Sequence, residues 1–367
     1  MFDVIIVGGG IGGSAAALRA AQNNMTALWV LGDKQSRKRS RSQWVKNLDN
    51  IVGFHENVVK AQVVKTLLKY KQTQAAELIE KEHFHINNRA IIRNTIQRLK
   101  ADFPNVTTVE GVAQQLVEEN GSYQLIVGAE SYSGAAVVLA TGVMDEQPHV
   151  GGMNRQGEFQ ETPKWIYPFA NREQFLYCIR CEGHLTQYDR VAVVGSKPMA
   201  AELGMMLYER YENEVVIVTN GVSPQFSSEQ ERFLKHYGIE VIREPVIGLM
   251  SEGVKQLQGF QFRRHEPVAV KFALVALGLH RVYNDLASQV GARLMDPEMP
   301  EEKRHVWINH KGETSVPNLF AVGDMVKRED EPVMKQVYTA QEYAVRAVDT
   351  IDFRRRKNRR NTLLNQS

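Results

Sequence analysis

A glycine-rich turn between a short apolar run and a stretch of small residues constrains the fold of this chain more than any other feature. Phe2 to Val7 has the pattern of a buried parallel strand, and Ala27 to Leu31 predicts the strand after the intervening helix. The turn reads G-x-G-x-x-G, whose glycines permit a tight turn, a close approach to a pyrophosphate and packing of helix on strand. The sequence therefore predicts a nucleotide site at the amino end of the first helix. The residues expected to contact the nucleotide are Gly8, Gly10, Ile11, Gly12, Gly13 and, near the ribose, Asp33.

The same pattern of strand, turn and helix recurs in the middle of the chain. Val191 to Gly195 is a second apolar run that ends in glycine, and Ala200 to Tyr211 has the spacing of a helix. Val215 to Val218 then supplies the next strand. Two such units predict an α/β fold with two Rossmann-like three-layer domains, and 367 residues are enough for each domain to bury its own core.

The only two cysteines, Cys178 and Cys181, are separated by two residues. In this C-x-x-C spacing one sulfur can remain a thiolate while the other attacks, and the pair can close a disulfide. A structural zinc ion needs four ligands, and no second Cys/His pair lies nearby in the sequence. His83 and His85 alternate along a predicted strand but lack a third ligand. The sequence therefore predicts a redox-active dithiol and no metal site.

Composition narrows the class of protein and its partners. No run of about eighteen apolar residues occurs, so no transmembrane helix is expected. The first strand begins almost at Met1, which argues against a signal peptide, and the lack of further cysteines fits a reducing cytoplasm. The net charge of +3 is too small to indicate nucleic-acid binding, and no aromatic side chains are interleaved with the basic runs. We therefore expect a cytoplasmic protein without membrane or nucleic-acid partners.

Four short motifs follow one another in the order of a known flavoprotein family. They are the early glycine turn, an Asn-x-x-Gly that begins at Asn50, the run Ala140-Thr141-Gly142, and the late pair Gly323-Asp324. With these motifs, most of the chain resembles the low-molecular-weight thioredoxin reductases, which are two-domain flavoproteins of the disulfide reductase superfamily. The resemblance implies bound FAD and a homodimer. It assigns contacts with the FAD to Asn50, Thr141, Gly142, Gly323, Asp324, Lys335, Gln336 and Val337.

The resemblance also implies that the second Rossmann-like domain is inserted into the first. The FAD-binding domain is then expected at 1–147 and 283–350, and the NAD(P)-binding-like domain that carries the dithiol at 148–282. A helix is expected over Val333 to Ile351. The basic tail at 351–367 is expected to be disordered.

The family assigns distinct tasks to the residues of the dithiol motif. By resemblance, Cys181 faces the flavin and Cys178 attacks the disulfide of a thioredoxin-type protein. Glu182 takes the position at which the family has an aspartate that protonates the departing thiolate. Two other functions stay open on these residues. One is an FAD-dependent dithiol oxidase that closes disulfides with oxygen as acceptor, and the other is a non-catalytic flavin redox sensor.

The second glycine turn departs from the family where NADPH would bind. Lys197 replaces the glycine that lets the backbone touch the pyrophosphate, and Pro198 removes an amide donor. The next strand ends in Thr219-Asn220-Gly221, without the arginines that fork onto a 2′-phosphate. NADPH is therefore a doubtful cofactor, and the sequence favours a divergent, deeply rooted branch of the family that has lost the NADPH signature.

Without NADPH, electrons must come from another donor. A related branch of the family accepts them from ferredoxin, which is a small acidic protein. Dense positive charge attracts acidic partners and speeds their encounter, so a ferredoxin-like donor guided by basic surface is our hypothesis. A solvated loop without a partner is the alternative for the first basic run. The two runs consist of Lys34, Arg37, Lys38, Arg39 and Arg41, and of Arg354, Arg355, Arg356, Lys357, Arg359 and Arg360.

Overall fold

The computed structural model describes residues 1–46, 48, 50–53, 56–81, 87–253 and 256–365, so His83 and His85 lie outside the described residues. The chain divides into two compact units. The first unit comprises residues 1–43, 47–144 and 281–367, and the second unit comprises residues 44–46 and 145–280. The sequence placed the two main divisions at 147/148 and 282/283. Nothing in the sequence indicated that residues 44–46 pack with the second unit.

Both units contain helices and strands. The helices of the described residues are α1 (Ile11–Gln22), α2 (Lys34–Lys38), α3 (Glu56–Lys69), α4 (Thr73–Lys81), α5 (Asn88–Asp102), α6 (Tyr167–Ala170), α7 (Ile179–Glu182), α8 (Pro198–Tyr211), α9 (Ser228–His236), α10 (Asp285–Gln289) and α11 (Val337–Asn365). The strands are β1 (Val4–Val7), β2 (Ala27–Val30), β3 (Val106–Val109), β4 (Ala113–Glu119), β5 (Ser122–Val127), β6 (Glu130–Gly134), β7 (Val137–Leu139), β8 (Val143–Asp145), β9 (Val150–Met153), β10 (Phe159–Thr162), β11 (Phe175–Leu176), β12 (Arg190–Val194), β13 (Glu214–Val218), β14 (Glu240–Ile242), β15 (Val246–Glu252), β16 (Gln256–Phe262), β17 (Val268–Ala269), β18 (Phe272–Val275), β19 (Leu279–Val282), β20 (Val306–Trp307), β21 (Leu319–Ala321) and β22 (Val326–Lys327).

The first unit is built on a five-stranded parallel sheet with the order β21-β7-β1-β2-β3. β1 pairs with β2, with Val4 opposite Ala27, and on its other side with β7, with Ile5 opposite Val137. All four residues of β1 are buried, as expected for a central parallel strand. The strand order reverses between β1 and β7, and open α/β sheets bind their ligands at such a reversal.

Small side chains let two helices of the first unit pack against one core. Ala16, Ala17 and Ala20 of α1 share a buried cluster with Ala344 and Ala347 of α11. The run of alanines after the glycine turn carries this information in the sequence, because alanine favours helix and leaves room for a close neighbour. The packing fixes α1, and therefore the position of its amino end.

The second unit repeats this plan with a parallel sheet of order β11-β18-β12-β13-β14. Successive residues of a strand point to opposite faces of the sheet. Val193 belongs to a buried cluster that contains Ala200 and Ala201 of α8. Val194 belongs to a different cluster, which contains Phe260 of the antiparallel sheet β15-β16-β17. The prediction of an α/β fold with two Rossmann-like domains is confirmed.

The carboxyl-terminal helix is longer than the sequence predicted, and the expectation of a disordered tail is wrong. α11 continues to Asn365 rather than ending near Ile351. No glycine or proline interrupts the chain between these two residues, so nothing local stops the helix. The basic residues of the tail are therefore arranged around a helix.

Ion pairs bind part of this basic tail to the first unit. Arg354 Nη2 donates to Glu313 Oε2 at 2.8 Å. Arg355 Nη1 lies 3.0 Å from Oδ2 of Asp3, whereas Arg356 pairs at 2.8 Å with Asp352 of the same helix. The remaining basic residues of the tail, which are exposed, are Lys357, Arg359 and Arg360.

Two kinds of feature are absent from the described part of the chain. None of its helices is long and apolar enough to cross a membrane. None of its His, Cys, Asp and Glu side chains gather in groups of three or more that could hold a metal ion.

One histidine of the first unit is buried in its neutral form. His305 precedes β20 and is 8% exposed. Burial, followed by the positive charge of Lys335, lowers the pKa of His305 from 6.5 to about 4. The unfolded chain therefore binds a proton on this residue at a pH where the folded chain does not, and the stability of the fold falls as the pH falls through that window.

We expect acidification from pH 7 to pH 5 to cost the fold about 2 kcal/mol at His305 alone, because protons then bind the unfolded state. The His305→Gln variant should lose correspondingly less stability over this range. Urea unfolding at both pH values measures the difference, and the exposed His310→Gln is the control. Equal losses in wild type and His305→Gln would contradict the prediction.

Candidate active site

Cys178 and Cys181 form a disulfide, with their Cα atoms 5.3 Å apart. β11 ends two residues before Cys178, which is the N-cap of α7. Both cysteines are buried, at 7% and 6% exposure. The backbone N–H of Cys181 donates to the Sγ of Cys178 at 3.2 Å. An amide donor directed at this sulfur stabilises a thiolate there after reduction, so the geometry favours Cys178 as the nucleophile.

A buried carboxylate holds the backbone in front of the disulfide. Glu182 is fully buried, and its Oε2 accepts hydrogen bonds from the backbone N–H groups of Tyr177 at 3.0 Å and Cys178 at 3.1 Å. The side chain therefore fixes the peptide that leads into the nucleophile. Its role as a proton donor to the departing thiolate stays a prediction.

Sequence reasoning missed a group of residues beside the dithiol. The hydroxyl of Tyr177 donates to Gln147 Oε1 at 2.6 Å. Burial, with the charge of Asp145 as the next cause, raises the pKa of Tyr177 well above its usual range. The ring of Trp44 lies 6.0 Å from that of Tyr177 and 5.2 Å from that of Tyr167. Trp44 stands far from the cysteines in sequence, and no spacing signal connects them.

The predicted glycine turn of the first unit has the close contacts that such a turn requires. A Cβ atom at Gly8 would lie 2.1 Å from the carbonyl oxygen of Ala140, and one at Gly13 would lie 1.9 Å from the carbonyl oxygen of Gly8. A Cβ atom at Gly10, in contrast, would have no atom within 4 Å. Gly8 and Gly13 are therefore needed to close the turn, and Gly10 borders open space that a ligand can fill.

The late Gly-Asp pair lies against the start of α1. A Cβ atom at Gly12 would be 3.3 Å from Cγ2 of Val322 and 3.7 Å from Gly323. Asp324 follows in the short turn Gly323–Met325, and its Oδ2 is 3.7 Å from Nε of Arg41. The free backbone N–H groups at the first turn of α1, which Ile11 begins, point to the same edge of the sheet.

Two other predicted motifs are held by side-chain hydrogen bonds. Thr141 Oγ1 donates to the carbonyl oxygen of Tyr283 at 2.5 Å, and Gly142 has a φ of +72° with open space beside it. Asn50 Nδ2 donates to Gln336 Oε1 at 2.8 Å, across 286 residues of sequence. This hydrogen bond joins the Asn-x-x-Gly motif to the segment formed by Lys335, Gln336 and Val337.

Asp33 has a structural task that the sequence did not predict. It is the N-cap of α2, and its Oδ1 accepts the backbone N–H of Ser36 at 2.7 Å. This hydrogen bond lowers the pKa of Asp33. The sequence could have indicated this, since aspartate is among the preferred N-cap residues. A contact between Asp33 and a ribose stays a prediction.

The first unit therefore offers a cradle that fits a flavin dinucleotide. The carboxyl ends of β1, β7 and β21 lead into the glycine turn, the Ala-Thr-Gly run and the Gly-Asp pair. Their contacts bring these three motifs to one edge of the sheet, at the reversal of strand order. The side-chain-free surface at Gly10 admits a diphosphate, and the start of α1 faces it with amide donors.

The second glycine turn makes the same close contact with a neighbouring strand end as the first, and hydrogen bonds fix the loop that follows β13. A Cβ atom at Gly195 would lie 2.8 Å from the carbonyl oxygen of Ala276. The backbone N–H of Gln225, in the loop after β13, donates to the carbonyl oxygen of Ser196 at 2.7 Å. In the same loop, Asn220 Oδ1 accepts the N–H of Val246 at 2.8 Å. These two hydrogen bonds hold the loop after β13 to the turn and to the start of β15.

Comparison with known proteins gives a family match over most of the chain. A family model described as pyridine nucleotide-disulphide oxidoreductase matches residues 2–344. One subunit of the alkyl hydroperoxide reductase of Pseudomonas putida is 22% identical over 331 residues, which are 88% of this chain and 53% of that protein, so the chain spans about half of its length. Thioredoxin reductase of Aquifex aeolicus (strain VF5) is 21% identical over 367 residues, covering 96% of this chain and 93% of that protein.

Solved structures share the fold. The crystal structure of HlmI has a TM-score of 0.70 and 17% identity, and the match covers 99% of this chain and 95% of that chain. Thioredoxin reductase from Streptococcus pyogenes MGAS5005 has a TM-score of 0.68 and 16% identity, with coverage of 96% and 97%. At such identities the likeness concerns the arrangement of the backbone.

The cradle can be tested with two neighbouring glycines. Gly10→Ala should leave the apoprotein as stable as wild type, because Gly10 has a φ of −86° and an added Cβ meets open space. It should weaken FAD binding at least about tenfold, since the Cβ then meets the diphosphate. Gly9→Ala is the counterpart: its Cβ would lie 2.4 Å from the carbonyl oxygen of Leu31, so the fold itself should lose about 1–3 kcal/mol.

Thermal unfolding of the apoprotein and titration with FAD, followed by flavin fluorescence, measure the two effects. Unchanged FAD affinity in Gly10→Ala would show that no diphosphate approaches this glycine.

Proposed function

Because the chain belongs to the pyridine nucleotide-disulphide oxidoreductase family, we propose that it is a thioredoxin-reductase-like enzyme that passes electrons from FAD through Cys178 and Cys181 to the disulfide of a thioredoxin-type protein. The observation that carries this proposal is the disulfide at the N-cap of α7, with an amide donor on the sulfur of Cys178. The family is one of oxidoreductases. The dithiol supplies the group that such an enzyme needs to exchange electrons with another disulfide.

When bound, FAD supplies a carrier of two electrons. The disulfide between Cys178 and Cys181 takes up two electrons and two protons and becomes a dithiol. The thiolate of Cys178 then attacks one sulfur of the partner, whose disulfide breaks as a mixed disulfide forms. Cys181 attacks the sulfur of Cys178, which releases the partner as a dithiol and restores the starting disulfide. Both cysteines are almost fully buried, so attack on a protein requires a conformational change that exposes Cys178.

We further propose that NADPH is not the donor. Lys197 and Pro198 begin the helix where a nucleotide would need a bare backbone with amide donors, and Lys197 is the N-cap of α8. The hydrogen bond from the N–H of Gln225 to the carbonyl oxygen of Ser196 holds the loop after β13 in place. An acidic electron-transfer protein such as a ferredoxin is the proposed donor. The proposed binding surface for this donor is the basic segment after β2, in which Lys34, Lys38 and Arg39 are exposed.

The cellular setting that goes with this proposal is a reducing cytoplasm, where a dithiol enzyme is recharged after each turnover. A homodimer is the assembly that the resemblance implies, and sedimentation of the purified protein tests it.

The two single cysteine variants give matched tests of the electron path. Cys181→Ser should accumulate a mixed disulfide between Cys178 and thioredoxin, because the resolving sulfur is missing. Cys178→Ser should form none, and both variants should lose turnover by on the order of 10³-fold or more. Non-reducing electrophoresis and mass spectrometry identify the adduct. Adduct formation by Cys178→Ser instead would reverse the proposed roles.

Anaerobic stopped-flow absorbance on the same protein separates reductase from oxidase. Thioredoxin should reoxidise the reduced holoenzyme without oxygen. Rapid release of peroxide with dithiothreitol under oxygen, and no reaction with thioredoxin, would identify a dithiol oxidase instead. Failure of both reactions would identify a redox sensor.

The donor is tested by bleaching of the flavin absorbance. NADPH at a slight molar excess should leave the flavin oxidised, whereas reduced ferredoxin should bleach it. The rate with ferredoxin should fall about tenfold or more between ~50 and ~500 mM salt, because screening weakens attraction between exposed charges. Charge reversal at Lys38 and Arg39 should slow the reaction, and Lys357→Glu on the tail is the control. Stoichiometric bleaching of the flavin by NADPH would contradict the proposal that NADPH is not the donor.

A further inference from the structure

We propose that Arg41 binds the diphosphate of the flavin dinucleotide and makes the site select FAD over flavins that lack a diphosphate. The inference rests on the proposed FAD-dependent function. It concerns a residue that lies outside the four motifs carrying the resemblance, in the basic segment otherwise offered to a protein partner.

Arg41 differs from its basic neighbours in where its side chain lies. Lys34, Lys38 and Arg39 are exposed to solvent. The side chain of Arg41 is only 12% exposed. A guanidinium is costly to remove from water unless negative charge compensates it, and the carboxylate of Asp324 is one such charge beside Arg41.

The backbone around Arg41 is held in place. Arg41 begins a short turn that ends at Gln43, whose carbonyl oxygen accepts a hydrogen bond from Arg89 Nη2 at 2.7 Å. The hydroxyl groups of Ser40 and Ser42 lie 2.7 Å apart, on either side of Arg41. The sequence presents this stretch as a charged loop, whereas the structure anchors it to α5.

The guanidinium of Arg41 lies at the edge that the flavin motifs share. Its Nε is 3.7 Å from Oδ2 of Asp324. The residue before Asp324, Gly323, lies against Gly12 at the start of α1. This start is where a diphosphate binds in a glycine-turn site. Arg41, Asp324 and the amino end of α1 therefore border one region.

Charge balance explains why a guanidinium is needed there. A diphosphate brings about two negative charges next to the carboxylate of Asp324, and the amino end of a helix offers only about half a positive charge. A guanidinium adds a full charge and can donate to two phosphate oxygens at once. At 3.7 Å the contact with Asp324 is an ion pair rather than a directed hydrogen bond, and a guanidinium carries five N–H donors, enough for one side chain to contact a carboxylate and a phosphate together.

The competing role is purely structural: Arg41 could serve only to hold the turn that carries Asp324. A structural loss would weaken every flavin alike, since it would distort the whole cradle. A diphosphate contact would weaken FAD and leave riboflavin unaffected, because riboflavin has the same ring system without phosphates. Comparing the two ligands therefore separates the two roles.

The test uses full-length apoprotein from which flavin has been removed, titrated with FAD and with riboflavin by fluorescence quenching. For Arg41→Met we expect the Kd for FAD to rise about 10- to 100-fold. The Kd for riboflavin should change less than about twofold, and the salt dependence of FAD binding should decrease. Arg37→Met is the matched control: Arg37 lies in the same segment, pairs with Glu110 at 3.2 Å and is 37% exposed, so neither Kd should change.

Three outcomes would overturn the inference while leaving the proposed function in place: FAD affinity unchanged in Arg41→Met, equal losses for FAD and riboflavin, or an equal loss in Arg37→Met. If Arg41→Met does not fold, Arg41→Lys replaces it. Lysine keeps the positive charge but cannot donate to two phosphate oxygens at once in the way a guanidinium does. FAD affinity should therefore fall severalfold in Arg41→Lys, with riboflavin affinity unchanged. An FAD affinity equal to that of wild type would overturn the proposed two-oxygen contact. A wild-type apoprotein that takes up no FAD defeats the proposed function itself, and this inference with it.

Discussion

The carbonyl oxygen of Gly8 sets the geometry on which the flavin cradle depends. A side chain at Gly13 would collide with it at 1.9 Å, and the buried indole of Trp29 donates to it at 2.9 Å. The turn can therefore close only because Gly13 has no side chain, and the indole N–H of Trp29 holds the carbonyl oxygen of Gly8 in place. Because α1 starts inside this turn, the same oxygen determines where the amide donors of α1 and its contact with Gly323 lie. The dithiol is arranged differently, since a buried carboxylate, that of Glu182, holds its backbone.

Much of the fold could be predicted from the sequence because its signals are local. Apolar runs at β1 and β12, each followed by a glycine turn and a stretch with helical spacing, specify a strand, a turn and a helix. The order of the motifs along the chain indicated which segments belong to one site. The structure brings the glycine turn, the Ala-Thr-Gly run and the Gly-Asp pair together at the carboxyl edge of the first sheet. The C-x-x-C spacing likewise predicted a redox dithiol that can close a disulfide, and the structure contains that disulfide.

What could not be predicted depends on partners distant in sequence or on competing uses of one residue type. Charge alone places Arg41 in solvent, and only the folded chain brings Asp324 to it. Asp33 fits both a ribose contact and a helix cap, and local pattern does not choose between them. The tail was expected to be disordered because it is basic, but pairing of Arg354 with Glu313 offsets part of that charge. Trp44 packs beside Tyr177 in the second unit, although the residues on either side of 44–46 in the sequence belong to the first.

The uninterrupted length of α11 limits where along this helix an electron donor can bind. Its first residue, Val337, belongs to the segment assigned to the flavin, and at 1.5 Å per residue Lys357 lies about 30 Å further along the axis. A molecule that binds the exposed cations at the far end therefore lies about 30 Å from the segment assigned to the flavin. The helix therefore separates its exposed cationic tip from the residues assigned to the flavin, and a donor bound at the tip alone would lie too far away for direct electron exchange.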